Sequence, residues 1–173
     1  VAAIALPYTP SADLEGEVVW VGQGEEEDFK RLAGQLTGKI VMSAAESTPG
    51  PGQYASHRRE KFARALDAGA TAFLFVNQNP GMLAITGALA AGFVGELPAL
   101  GLPKESGDYI VRLLEDGPVR LRLHVESVFT PTSSVNVCAH IGPADDGGEF
   151  LLVGAHYDAH DVAVGALDNA AGT

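Results

Sequence analysis

The stretch GAHYDAHDVAVGALDNAAGT, Gly154 to Thr173, gathers the side chains of this chain best suited to hold a metal or move a proton. His156 and Asp158 follow directly on the apolar run FLLV, and residues two apart in an extended segment project to the same side, so imidazole and carboxylate can touch. A carboxylate on one ring nitrogen fixes the tautomer and makes the other a better metal ligand. Asp168 stands further along in GALDNAAG, where small residues let the backbone fold close and return the carboxylate toward the histidine. H-x-D alone is a weak signal; D-N-x-x-G at this distance after a buried strand makes it specific. The plainer alternative is a strand-to-helix turn in which Asp168 and Asn169 only cap the succeeding helix. His160 and Asp161 read as exposed loop residues rather than ligands.

The elements that must carry this loop can be read from apolar periodicity. Glu17–Val21, Lys39–Ser43 and Thr71–Val76 read as strands, the last continuously apolar as in a strand covered on both faces. Pro98–Leu102 and Val119–Val125 read as two more, the second alternating so that His124 faces solvent. Phe29, Leu32, Ala33 and Leu36 recur at helical spacing behind the acidic run Glu25–Asp28, which suits a helix start. A second helix is expected from Gln53 to Gly69, with Tyr54, Arg58, Phe62, Ala65 and Leu66 on one side, Arg59, Lys61 and Arg64 on others, and His57 on the polar side. A third is expected after Pro103, burying Tyr109, Ile110, Leu113 and Leu114 and ending at Gly117. The long loop Asn77–Leu97 reads equally as a wall or lid of a cleft and as a surface excursion. FTPTSS, Phe129 to Ser134, reads as a domain boundary, and Ser134–Ile141 and Glu149–Ala155 as two strands joined by GPADDGG. The expected organisation is therefore an α/β body over residues 1–127 and the start of a different unit over 128–173.

A formal charge of −11, with 11 Lys and Arg dispersed among 22 Asp and Glu, makes a phosphate backbone an unsuitable partner and excludes nucleic acid from the expected functions. No apolar run approaches the roughly 18 residues needed to span a bilayer, so no membrane span is expected in this chain. The lone Cys138 sits in an alternating run and reads as a small buried hydrophobe; His140 reads as solvated. Arg58 and Arg59 read as helix-surface residues rather than as contacts for an acidic group.

The words GAHYD and GALDNAAG resemble the co-catalytic dizinc aminopeptidase family, which also includes glutamate carboxypeptidase and the transferrin receptor. EEDFKRLAGQLTGKIVMS, ALDAGATAFLFVNQNPG and LPALGLPKESGDYIVRLLEDG resemble the protease-associated domain that members carry before the catalytic strand. The resemblance implies an α/β fold in which a protease-associated domain, mixed β-sheet flanked by helices, precedes the first strands of an α/β zinc-peptidase domain. It assigns His156 as a zinc ligand, Asp168 as the carboxylate bridging two zincs, and Asp158 as the catalytic acid that orients His156. Two zincs sharing a water would lower its pKa toward about 7 and polarise the scissile carbonyl. The remaining ligands and a glutamate general base lie further along the chain in the family, so the isolated 173 residues are expected to bind metal weakly and to lack peptidase activity. The implied substrate is a peptide, hydrolysed from its amino end; a glutamate-carboxypeptidase-like enzyme and a non-catalytic, receptor-like binding module remain the alternatives. An oligomer is left open by the sequence, and a secreted or cell-surface position is what the family association suggests.

Overall fold

The computed structural model describes residues 1–48, 50–52, 54–89, 94–142, 151–159 and 169. Backbone contacts divide the chain into two compact units, Val1–Ser127 and Val128–Thr173. The first is built on one sheet of six strands: β1 (Ile4–Ala5), β2 (Ala12–Trp20), β3 (Ile40–Ala44), β4 (Ala72–Val76), β5 (Ala99–Leu102) and β6 (Arg120–Val125). Their order is β1-β5-β4-β3-β2-β6. β2 to β5 run parallel, and β1 and β6 close the two ends antiparallel. The helices are α1 (Glu26–Arg31), α2 (Arg58–Asp67) and α3 (Lys104–Asp116).

All five residues of β4 are buried, because both faces of the central sheet are covered. Phe73 and Phe75 point into a cluster with Phe29 of α1 and Phe62 and Ala65 of α2. Ala72, Leu74 and Val76 point the other way, into a cluster with Ile40, Met42 and Ile110 of α3. The period of two within a wholly apolar run thus feeds two cores at once. β2 is divided in its pairing: Val18–Trp20 run beside β3, whereas Ala12–Glu17 pair only with β6. Its first half alternates exposed acids with half-buried residues, as does β6 with its basic residues. His124 is exposed, as its place in the alternation requires.

The helices are shorter than their apolar spacing suggests. α1 ends at Arg31, and Leu36, only 1% exposed, reaches the core from the turns beyond it. α2 starts at Arg58 instead of Gln53, so Tyr54 lies outside the helix and is exposed. His57 is not a polar-face residue of α2 but its N-cap: its Nδ1 accepts from the Arg59 N–H while the Glu60 carboxylate accepts from the His57 N–H at 2.7 Å. On α3 the buried positions are Ser106, Gly107 and Ile110, with Leu114 packed beside them, whereas Tyr109 and Leu113 are exposed. The close approach of Gly107 to β4 turns the helix: a Cβ there would lie 2.2 Å from Val76 Cγ1. β1, a two-residue strand hydrogen-bonded to β5, gives too short a pattern to be read in advance.

Part of the β4–β5 loop is built into the core, while residues 79–83 are exposed. Leu89 and Leu97 are buried and Ile85 packs against the same cluster, its carbonyl crossing so close to Gly101 that a Cβ there would stand 1.8 Å from the oxygen. The surface-excursion reading holds for residues 79–83 and fails for Ile85, Leu89 and Leu97, whose side chains would be exposed if the loop lifted as a lid.

In the second unit, residues 134–141 and 151–155 belong to no ladder. Val137 is 84% exposed and Ile141 99%, so the two expected strands are absent among the described residues, and Cys138, read as buried, is exposed. A strand exists only through its pairing partner, and none of the described residues supplies one here.

Candidate metal centre

His156 and Asp158 are brought together as their spacing requires. His156 Nδ1 lies 2.8 Å from Asp158 Oδ1 and 3.1 Å from the Asp158 carbonyl oxygen. Both partners are acceptors, so Nδ1 carries the proton and donates. Tyr157, between them, donates its hydroxyl to the carbonyl of Val135 at 3.1 Å and so ties this segment to the residues near 135. Both side chains of the pair are exposed, Asp158 the more so. A carboxylate-oriented neutral imidazole is a donor set suited to zinc. Among the described residues no group of three or more His, Cys, Asp or Glu side chains could hold a metal ion. Asp168, His160 and Asp161 lie outside the described residues.

A second polar cluster, in the first unit, escaped sequence reasoning. Lys61 reads as a solvated residue of α2, yet it is fully buried. Its Nζ donates to the carbonyls of Ala44 and Ala45 at 3.1 and 3.2 Å, closing the carboxyl end of β3. Burial lowers the pKa of the ammonium, and Glu25 opposes that shift. Burial alone would raise the Glu25 carboxyl, but hydrogen bonds from Ser47 and Ser56 and the charge of Lys61 outweigh it and hold the group below its ordinary range. Arg64 joins the cluster through Ser56 Oγ, 2.9 Å, and the carbonyl of Gly24, 3.1 Å. The one clue was Gly24, where a Cβ would meet Lys61 Cδ at 2.9 Å.

Two family models match this chain, PA domain over residues 8–110 and Peptidase family M28 over 136–173. The chain belongs to the PA domain family, and the shorter match to Peptidase family M28 follows that domain in sequence. Leucine aminopeptidase 2 of Trichophyton rubrum is 32% identical over 114 residues, 66% of this chain and 22% of that protein. Aminopeptidase YwaD of Bacillus subtilis is 29% identical over 173 residues, 99% of this chain and 34% of that protein. Among solved structures, BSAP, a zinc aminopeptidase from Bacillus subtilis, aligns with a TM-score of 0.57 at 21% identity, covering 72% of this chain and 27% of that one. The aminopeptidase from Aneurinibacillus sp. strain AM-1 gives 0.54 at 26% identity, over 72% and 27%. The chain thus spans between about a fifth and a third of the length of these relatives. Among the described residues no helix is long and apolar enough to cross a membrane.

Proposed function

We propose that this chain is part of a zinc-dependent exopeptidase that hydrolyses residues from the amino end of peptides. The observation that carries the reading is the 2.8 Å contact between His156 Nδ1 and Asp158 Oδ1 within the M28 match. His156 would hold a zinc through Nε2, Asp168 would bridge two zincs, and Asp158 would fix the ring in its metal-binding tautomer. Bound zinc supplies Lewis-acid polarisation of the scissile carbonyl and a more acidic water. The relatives' names favour the amino over the carboxyl end of the substrate. The PA domain, residues 1–127, would assist substrate access or contact protein, with the peptidase part beginning at 128.

The test uses the full-length enzyme with an aminoacyl-p-nitroanilide. Asp168→Ala should abolish turnover, and Asp158→Asn should lower zinc affinity or activity by about 10- to 100-fold. Undiminished turnover by Asp168→Ala removes the bridging role, and unchanged zinc affinity and activity in Asp158→Asn remove the orienting one.

A further inference from the structure

The sheet of the first unit ends at β6, which pairs on one side only. The Val18 N–H donates to the Val119 carbonyl at 2.8 Å, which sets the alternation along this antiparallel ladder. Leu121 and Leu123 therefore turn their backbone groups toward β2, and Arg120, Arg122 and His124 turn theirs away. Those outward N–H and C=O groups have no backbone partner among the described residues.

Along this edge runs a slot of about 320 Å³. Its floor is Leu74, Leu100, Leu102 and Ile110, each at most 8% exposed. One wall is the four successive residues Leu121 to His124, drawn from both faces of β6, so the strand's edge itself lines the opening. Val1 and Ala3 stand across from it. No carboxylate lines the slot, although the chain carries a charge of −11.

On the outward face the charges follow a cross-strand order. Asp13, Glu15 and Glu17 of β2 lie opposite His124, Arg122 and Arg120. Arg122 donates to both carboxylate oxygens of Asp13, at 3.1 and 2.9 Å, and Arg120 to Glu15 at 3.0 Å. His124 also has Glu126 at 3.4 Å. The arginine side chains nevertheless remain 62% and 71% exposed.

We propose that the slot receives an extended peptide segment as a further strand beside β6, with apolar side chains over Leu74 and Leu100 and carboxylates on its outward face beside Arg122 and His124. Backbone pairing supplies affinity, and the alternation of apolar floor and basic rim supplies selectivity. An acid-base-acid order across three strands results.

The test is fluorescence anisotropy of the full chain with a fluorescein-labelled peptide of alternating valine and glutamate, about six residues long. Saturable binding is expected, tighter than to a valine–serine peptide and far tighter than to a peptide of the same composition with its valines contiguous. His124→Pro deletes an N–H that faces away from β2, a position where an edge strand tolerates proline; it should weaken binding about tenfold with the circular dichroism spectrum retained. Arg122→Gln with His124→Gln should remove the preference for glutamate over serine, and this pair decides the matter should His124→Pro not fold. Equal binding of alternating and contiguous peptides, unchanged affinity in folded His124→Pro, or a concentration-dependent dimer that occupies the edge instead would each overturn the proposal.

Discussion

Lys61 has no exposed surface and so bears a desolvation cost that its partners must offset. An ammonium taken out of water is tolerable only where its protons find acceptors, and Lys61 finds two at the end of β3. Lys61→Ala leaves both carbonyls and Glu25 without their cation and should lower unfolding free energy by about 3 kcal/mol in urea titration. Lys61→Met keeps the packed stem while removing the charge, and should cost about 1 kcal/mol or less. Glu25 sets a pH dependence. Its folded pKa lies below the ordinary 4.5, so the folded state binds the proton more weakly than the unfolded one. That stability is present above pH about 4.5 and is lost as pH falls through the lower, folded value. Glu25→Gln should flatten this acid limb of the stability curve; an unaltered limb would show that other carboxylates set it. The buried lysine could not have been read from RREKFARALD, where it closes a run of four charged residues; only tertiary packing identifies it. The His156–Asp158 pair was legible because two-residue spacing is a local property of extended chain.

At the scale of elements, strands were easier to read than helices. AFLFV has one physical explanation, burial on both faces, and the sheet supplies it. Helix ends and faces are decided by capping and by contacts that spacing does not contain: the imidazole of His57 starts α2, and α3 rests on β4 through Gly107, where a Cβ would collide with Val76. Gly107→Ala would press a methyl into Val76 and should cost about 1–3 kcal/mol. Val76→Ala in the same molecule makes room, so the double variant should be more stable than the sum of the single losses by about 1 kcal/mol, measured as a double-mutant cycle. Strict additivity would mean that the helix shifts instead. The strands expected in 134–141 and 149–155 were misread for a related reason: alternation records which side of a strand is apolar, but the partner that makes it a strand must come from elsewhere in the fold.

At the scale of the molecule, the two units differ in how they hold their apolar residues. The first encloses Phe73, Phe75, Ile40 and Met42 at no more than 1% exposure, while Leu151, Leu152 and Val153 of the second are 81% to 90% exposed. A chain cut to residues 1–127 should therefore fold alone and unfold in one cooperative transition, with a thermal midpoint close to that of the first transition of the longer chain by calorimetry. A large drop in that midpoint would mean that residues beyond 127 help to stabilise the first unit. Residues 1–127 carry 16 Asp and Glu against 11 Lys and Arg, a net charge of −5, and self-repulsion at neutral pH favours study of such a fragment there.

The ladder between β2 and β6 joins Asp13 to Arg122, 109 positions apart. During synthesis at about 5–20 residues per second, the first half of β2 leaves the ribosome on the order of five to twenty seconds before its partner exists. Its alternating acids, Asp13, Glu15 and Glu17, keep that waiting strand hydrated and unattractive to other nascent chains until β6 arrives.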